Sequence, residues 1–319
     1  MRLTPTTDRK LIETLQCSNY AVWGAPAGLS LDAYIQRDWT NYESEYMDLC
    51  RADRTTLGGV YFVMLDDVAD NETVLGGCEI IIRPMWTTTH GDSEKEKEKE
   101  KEIKTVKCAT IGSVYVMPNA RGRGIAKEIM AQLTRMLDAE YLPGVYDVSM
   151  LYSEVGTKIY EDHGYVLSEE GDEDEDDDDE EGSEDITMPA DATVLRTDSP
   201  DEHFAHVEKL LHEENWKQYT AAVAVSSPRI RLVSVVPTRG CLQWHARRAL
   251  ARAGTDPVVL GWFTATRYRM DGIAGCGEST RRYGRDPHSL PMLRIHTPIE
   301  TEQDHCTPVW VGNGKWCWF

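Results

Sequence analysis

The chain of 319 residues lacks several patterns that would define its class at once. No run approaches the roughly 18 apolar residues of a membrane-spanning helix, and residues 1–8 contain no apolar signal segment. The eight cysteines form no C-x-x-C pair, so neither a zinc knuckle nor a disulfide framework is indicated. We therefore expect a cytoplasmic protein in a reducing environment, without a membrane partner.

Common nucleotide-binding motifs are missing as well. A P-loop needs G-x-x-x-x-G-K-[ST], which the chain does not contain. A dinucleotide fingerprint needs G-x-G-x-x-G, but Gly122 and Gly124 are followed by Lys127 where the third small residue should stand. These absences argue against a P-loop ATPase and against a nicotinamide-dependent enzyme.

Most of the net negative charge lies in one segment. Residues 169–185 hold 14 acids and no base, and removing them from a net charge of −20 leaves −6. We predict an acidic, disordered linker over 169–187, because such a run cannot bury apolar surface and repels itself. It could alternatively concentrate a cationic substrate or a basic protein.

The Lys–Glu alternation of residues 94–104 predicts an exposed hairpin loop and no nucleic-acid partner, because glutamates neutralise its lysines.

Apolar runs and periodicity give a coarse architecture. The first part of the chain reads as a meander of strands followed by alternating helices and strands, which predicts a mixed, twisted α/β sheet. The predicted helices and strands lie at residues 9–22, 30–50, 60–65, 78–82, 110–116, 125–137, 145–152 and 156–163. From residue 188 a helix at 201–219 and apolar runs at 230–236 and 257–265 predict a smaller α+β unit.

One turn has the composition of an anion-binding site. The strand that ends in Val116 leads into Arg121-Gly122-Arg123-Gly124, and a helix with apolar residues at helical spacing begins directly afterwards. A helix N-terminus leaves about four amide groups without partners and carries partial positive charge. Glycines allow an anion to approach the backbone, and nearby Arg and Lys side chains suit a polyanion. The alternative is a loop with two flexible residues.

A second element follows at a fixed separation. Residues 148–152 read as a buried strand, and the short helix after them ends at Gly164. Arg121, Gly124 and Ala126 fit the pattern Q/R-x-x-G-x-G/A. Tyr160, Gly164 and Tyr165 fit Y-x-x-x-G-[FY].

These two elements resemble the GCN5-related N-acetyltransferase (GNAT) superfamily. The resemblance implies a mixed twisted sheet flanked by helices, acetyl-CoA as cosubstrate, and no metal. It also implies that acetyl-CoA is bound by Val114, Val116, Arg121, Gly122, Arg123, Gly124, Ile125, Ala126, Lys127 and Ser153.

The segments 151–165, 28–34 and 243–245 resemble one branch of that superfamily, the fungal L-lysine acetyltransferases. This implies a GNAT domain at 1–168 and a family-specific C-terminal domain at 188–319. The favoured acceptor would be the side-chain amine of free L-lysine. The tail departs from the branch after Ile295, and its aperiodic end is consistent with a truncated or misassembled reading frame.

The catalytic groups follow from the resemblance and from the residues. Tyr160 stands where the superfamily places its general acid, although a core tyrosine is the alternative. Glu79 interrupts an apolar strand, so we expect it to serve as the base, directly or through a water, unless it faces outward. Trp23, Tyr34 and Tyr152 would line the acceptor pocket, and Trp244-His245 would close it from the second domain.

The leading hypothesis is thus an acetyl-CoA-dependent N-acetyltransferase acting on a small primary amine. A protein or polyamine acetyltransferase and a catalytically silent binding protein with this fold are the alternatives. His203, His206 and His212 lie on an amphipathic helix, and we expect solvated side chains there, not a metal site. The sequence leaves the oligomeric state open.

Overall fold

We describe the fold from a computed structural model of the chain. It describes most of the first half and several separate segments of the second half. The described residues are 1–44, 47, 58–66, 73–89, 102–144, 146–153, 155–167, 169–170, 188–226, 230–253, 257–266, 268–269, 290–296 and 307–311.

Helices and strands alternate along the described residues. The strands are β1 (Arg2–Thr6), β2 (Gly58–Asp66), β3 (Thr73–Thr89), β4 (Glu102–Val116), β5 (Asp147–Ser153), β6 (Val166–Leu167), β7 (Glu169–Glu170), β8 (Thr193–Arg196), β9 (Ile230–Val235), β10 (Val259–Phe263), β11 (Tyr268–Arg269), β12 (Leu290–His296) and β13 (Thr307–Trp310). The helices are α1 (Arg9–Trp23), α2 (Leu31–Tyr42), α3 (Ile125–Met136), α4 (Lys158–Glu161), α5 (Asp201–Val225) and α6 (Arg239–Ala253).

A large mixed sheet forms the centre of the fold. Ten strands belong to it, in the order β6-β12-β5-β4-β3-β9-β13-β7, with β2 also paired to β3 and β1 to β2. Strands β1 to β4 pair antiparallel, whereas β4 and β5 run parallel. Helices pack on this sheet, so the predicted mixed α/β sheet flanked by helices is confirmed.

The hairpin of β3 and β4 is longer than the sequence indicated. Predicted strands of five to seven residues become strands of 17 and 15 residues, which pair up to Thr89 and Glu102. Residues 102–104 are therefore strand and not part of the predicted charged loop, because cross-strand hydrogen bonds carry the ladder into the polar segment. The rest of that loop lies outside the described residues.

Helix α3 shows why the anion-binding turn is held firmly. Ile125, Ile129 and Leu133 are at most 2% exposed and pack into the main core, which confirms the predicted apolar stripe. Burial of each such side chain stabilises the fold by about 1.5–3 kcal/mol. The turn is thus fixed on one side by β4 and on the other by a helix that is anchored in the core.

Helix α2 is shorter than predicted. It ends at Tyr42, where the prediction extended it to residue 50. Ser44 is no longer helical, and residues 45–46 and 48–57 lie outside the described residues.

No described helix is both long and apolar enough to cross a bilayer.

The C-terminal half does more than form a separate small unit. Helices α5 and α6 pack with β8 and β10 around a core of their own. However, β9 and β13 extend the large sheet beyond β3, and β12 pairs with β5. These strand pairings join residues far apart in the chain, so local patterns did not predict them.

The predicted linker begins inside the sheet. Glu169 and Glu170 form β7, which pairs in parallel with β13. These two residues are the first of the predicted linker, 169–187. Residues 171–187 lie outside the described residues, as do residues 312–319 of the tail.

A buried polar network fastens β12 to the sheet. His296 contacts Asp138 at 2.5 Å through Nδ1 and Ser149 at 2.9 Å through Nε2, and Arg294 donates two hydrogen bonds to Asp138. Burial lowers the pKa of His296, whereas its hydrogen bond with Asp138 acts in the opposite direction. The order Ser-His-Asp occurs in hydrolases, but Ser149 is 0% exposed and no substrate reaches it. The network is therefore structural.

The histidines of α5 are packed and not simply solvated. The rings of His203 and His206 each lie 5.2 Å from the ring of Phe263, and His206 contacts the carbonyl of Thr264 at 2.8 Å. The ring of His212 contacts Trp86. His212 is exposed, as the expectation of solvated side chains has it, whereas His203 and His206 are only half exposed, because residues distant in sequence pack against them.

Candidate active site

The glycine-rich turn between β4 and α3 is open towards solvent. Gly122 and Gly124 have φ values of +75° and +78°, which side chains other than glycine rarely adopt. A Cβ built at either position would meet nothing within 4 Å. Gly124 is also the N-cap of α3 and provides no side-chain cap. The backbone there is pre-shaped and uncovered.

The amides of this turn point to an external acceptor. The first amide of α3 that donates to a backbone carbonyl is that of Glu128, to Gly124 at 3.2 Å. Among the described residues, the amides of 122–127 donate no hydrogen bond. A helix N-terminus in this state favours an anion. The residues present therefore fit a phosphate group.

Basic side chains surround the open turn. Arg121 is 3.4 Å from the Val116 carbonyl, Arg123 is 3.6 Å from Asp66, and Lys127 is 2.7 Å from Asp162. All three cations are exposed. Exposed ion pairs contribute about 0–1 kcal/mol, so an incoming phosphate could compete for these side chains at little cost.

A bulge in β4 lies a few residues before the turn. Gly77 pairs with Tyr115 and Glu79 with Gly112, so β4 holds one more residue than β3 between these pairs. Ser113 in the bulge has a φ of +52°. Bulges redirect side chains, and Ser113 donates a hydrogen bond of 2.5 Å to Glu79.

Glu79 is a buried carboxyl group on the central strand β3. It is 7% exposed and accepts hydrogen bonds from Ser113 and Tyr61. Burial raises its pKa, and the negative charge of Asp38 adds to this, whereas the two hydrogen bonds act in the opposite direction. A carboxylate with a raised pKa is a stronger base than an exposed one. Glu79 therefore faces inward, as the base hypothesis requires.

A narrow cavity adjoins Glu79. It lies between α1, α2 and the sheet. Ser113 and Tyr61 line it, whereas Glu79 itself is not among the lining residues. The wall consists of Ile12, Leu15, Gln16, Asn19, Tyr34, Asp38, Tyr61, Cys78, Ser113 and Tyr115.

Two of the predicted acceptor-pocket residues belong to this region. Tyr34 lines the cavity and donates a hydrogen bond of 3.0 Å to Asn19, and burial raises its pKa. Trp23 packs edge-on against the lining residue Tyr115, with ring centroids 5.9 Å apart. Tyr152, the third, packs beside a different cluster around Met85 and is not among the cavity's lining residues.

Helix α6 reaches the same region from the C-terminal half. Trp244 is buried in a cluster with Trp39 of α2 and Ile81 of β3. The Arg248 guanidinium stacks 4.8 Å from the Trp244 ring, and its charge acts on Glu79 by lowering that pKa against the larger effect of burial. His245 is buried as well, and its pKa is lowered by burial. Sequence patterns alone did not predict α6.

Tyr160 and Ser153 lie in the segment that follows β5. Tyr160 is 6% exposed, and its ring packs edge-on against Tyr165 at 6.4 Å. Ser153 donates a 2.5 Å hydrogen bond to the carbonyl of Gly156, so its hydroxyl closes the turn before α4. Val114 and Val116 of β4 are partly buried against the main core. The cavity's lining includes neither Tyr160 nor Ser153.

The residues that sequence patterns missed share one property. Gln16, Asp38, Tyr61, Ser113 and Arg248 reach the cavity or Glu79 only because helices and strands distant in sequence pack together. Only the positive φ of Ser113 marks a local irregularity, and its sequence neighbourhood carries no signal for it. The missed residues therefore follow from tertiary packing.

Fold and site together define a class of protein. A mixed α/β sheet presents an open anion-binding turn at the end of one strand and a buried carboxyl group on the neighbouring strand. Residues 29–165 match the model of the Acetyltransferase (GNAT) family. This part of the chain is therefore similar to that family, and the match spans both elements that the sequence singled out. Comparison with curated proteins gave no match.

Several solved structures are similar over about half of the chain. The spermidine N-acetyltransferase from Vibrio cholerae in complex with CoA and spermine is 15% identical, with 53% of this chain and 82% of that chain covered and a TM-score of 0.33. Tetrahymena GCN5 is 10% identical, with 54% and 84% covered and a TM-score of 0.31. A Trypanosoma brucei acetyltransferase is 17% identical, with 53% and 95% covered and a TM-score of 0.32. Similarity this low says nothing about the substrate.

Proposed function

We propose that the protein is an acetyl-CoA-dependent N-acetyltransferase whose favoured acceptor is the side-chain amine of free L-lysine. The observation that supports this most directly is the open turn at 121–124. The amides of 122–127 donate no hydrogen bond within the described part of the chain, and three exposed cations lie beside them. Glu79 lies on the strand paired with β4, which leads into that turn. An anion-binding group and a candidate base thus share one pair of strands.

The open turn would hold the diphosphate of acetyl-CoA. The amides of 122–127 would donate to its phosphate oxygens, and Arg121, Arg123 and Lys127 would screen their charge. Val114 and Val116 would lie along the pantetheine arm, and Ser153 would contact it. Acetyl-CoA supplies the thioester; the protein fixes its position.

Glu79 would remove the proton from the acceptor amine. A lysine side chain has a pKa near 10.4, so only about one molecule in 250 is neutral and reactive at pH 8. Because Ser113 and Tyr61 line the cavity and Glu79 does not, the proton would pass to Glu79 through the Ser113 hydroxyl or a water. The neutral nitrogen then adds to the thioester carbonyl carbon and forms a tetrahedral intermediate. When the intermediate collapses, the bond from carbon to sulfur breaks and the nitrogen releases its second proton to solvent.

Tyr160 would return a proton to the departing thiolate. A phenol with a pKa of about 10 donates to a thiolate of similar pKa at little cost. Tyr160 is held in place by its packing on Tyr165 and by the main core. Backbone amides near the bulge of β4 would stabilise the oxyanion of the tetrahedral intermediate.

Free lysine is favoured over other amines for two reasons. Segments 28–34, 151–165 and 243–245 resemble the fungal L-lysine acetyltransferases. Helix α6 adds a cation, Arg248, beside the region of Glu79, where an amino-acid carboxylate would be attracted. Protein and polyamine acceptors, and a catalytically silent binding role, remain the alternatives.

Acceptor profiling tests this proposal. CoA release would be measured with acetyl-CoA and one acceptor at a time: L-lysine, spermidine or a basic peptide. We expect the highest kcat/KM with L-lysine. Turnover of spermidine or peptide alone would replace lysine with that acceptor, and acetyl-CoA binding without turnover of any amine would favour the silent binding role.

A further inference from the structure

The cavity beside Glu79 has an excess of hydrogen-bond acceptors on its helical side. Gln16 of α1 lines the cavity, is only 4% exposed, and its Oε1 has no hydrogen-bond partner among the described residues. A buried acceptor without a partner costs about 1–3 kcal/mol. Such an atom in a cavity wall indicates a ligand that donates a hydrogen bond.

Asp38 of α2 supplies a negative charge at the same place. Its Oδ1 pairs with Arg37 at 2.8 Å, whereas Oδ2 meets only the amide of Gln16 at 3.5 Å among the described residues. Tyr34 does not compete for these atoms, since its hydroxyl donates to Asn19. Gln16 Oε1 and Asp38 Oδ2 therefore form an adjacent pair of underused acceptors, one of them charged.

This pair is distinct from the candidate base. Glu79 already accepts hydrogen bonds from Ser113 and Tyr61, and Asp38 influences it only through its charge. One amino group of a substrate would meet Ser113 and Glu79 and lose its proton. A carboxylate next to a neutral acceptor suits a second group that keeps its proton, namely an ammonium with three donors.

We infer that Gln16 and Asp38 form a subsite for a second ammonium group, so that the acceptor is a diamine or a diamino acid. The reacting amine lies at Ser113 and Glu79, and the retained ammonium lies between Gln16 Oε1 and Asp38 Oδ2. This inference rests on the proposed function and assigns the residues that would bind the second amino group of its acceptor. Monoamines, which leave the buried acceptors unpaired, are selected against.

Two pairs of acceptors isolate the second ammonium. L-lysine and 6-aminohexanoate differ only in the α-amino group, and 1,5-diaminopentane and pentylamine differ only in the second amine. Binding to the CoA complex would be measured by calorimetry, and CoA release from acetyl-CoA would be measured in parallel. We expect a preference of tenfold or more for the ammonium-bearing member of each pair, which is what one charge-assisted hydrogen bond contributes.

Variants assign that preference to the two residues. Asp38→Asn and Gln16→Leu should each bring the ratio of activities, and of affinities, between the two members of each acceptor pair closer to one. The change should appear mainly in KM and Kd. Asp32→Asn is the matched control, because Asp32 lies on the same helix, is exposed and does not line the cavity. Thermal melting checks that each variant is folded. If Gln16→Leu is not folded, Gln16→Asn provides a milder second variant.

The outcomes separate this inference from the proposed function. Turnover of all four amines without a preference, or a preference unchanged in folded Asp38→Asn and Gln16→Leu, would overturn the subsite and leave the acetyltransferase intact. Selective binding without any turnover would support the subsite and remove the proposed function. No selective binding of any of the four amines would overturn the subsite.

Discussion

The turn that would hold acetyl-CoA and the cavity that would hold the amine are built in opposite ways. The turn is continuous in sequence, exposed and almost free of side-chain contacts. The cavity is assembled from α1, α2, β2, β3 and β4, and its polar groups are buried. The turn depends mainly on the local backbone conformation, whereas the cavity depends on packing between distant segments. A single substitution in the turn should therefore abolish CoA binding, whereas substitutions in the cavity should each reduce activity by a smaller amount.

The largest expected effect comes from the turn. Gly124→Glu places a side chain and a negative charge where a phosphate would lie, and it forces φ = +78° on a residue with a Cβ. We expect CoA binding to fall below detection in calorimetry. Gly28→Glu is the control, because Gly28 has a φ of +73° and equally open surroundings. Equal affinity in both variants would remove the turn from the binding site.

The base on the cavity side should give the next largest effect. Glu79→Gln keeps the shape of the side chain but cannot accept a proton, so kcat should fall by about 10²–10⁴ with CoA affinity nearly unchanged. The pKa of Glu79 is raised by burial, so activity of the unaltered protein should fall as the pH drops through that raised value. A pH–rate profile that keeps its acidic limb in Glu79→Gln would assign the limb to another group.

Tyr160 packs in the main core and should give an intermediate effect. Tyr160→Phe should reduce kcat by about 10²-fold and leave CoA affinity nearly intact, because only the proton for the thiolate is lost. Tyr165→Phe is the matched control, since Tyr165 is also a buried tyrosine with a hydroxyl bonded to Ser149. A similar loss of rate in both variants, measured by CoA release, would point to packing.

The smallest effect should come from Ser113. Its hydrogen bond lowers the pKa of Glu79 against burial, so Ser113→Ala should raise that pKa further and move the acidic limb of the pH–rate profile to higher pH. The rate at high pH should fall by about tenfold if the hydroxyl passes the proton. A limb that stays in place or moves to lower pH would contradict the proposed contact.

The sequence predicted the first of these two regions well. Arg121 to Ala126, followed by apolar residues at helical spacing, is enough to predict a strand, an open turn and an amphipathic helix, and α3 buries the predicted stripe. Glu79 was a candidate because a carboxylate in an apolar run is unusual. The sequence did not show that Glu79 faces inward, because burial depends on which face of β3 is covered.

The second region was predicted only in part. Trp23 and Tyr34 do lie at or beside the cavity, whereas Tyr152 does not. Gln16 and Asp38 carry no signal in the sequence, because a polar residue on a helix is ordinary until its neighbours remove the water around it. Helix α6 was missed for the same reason: its Trp244 is explained only by its partners on α2 and β3.

The sequence by itself determined an open, glycine-rich turn, because the conformations of glycines and the free amides of a helix N-terminus are properties of a few adjacent residues. Only the tertiary structure decided which polar groups line the cavity beside Glu79, and that strands β9, β12 and β13 complete the sheet. Those outcomes depend on burial and on pairing between distant segments. Both are set by the packing of the chain as a whole and not by any local run of residues.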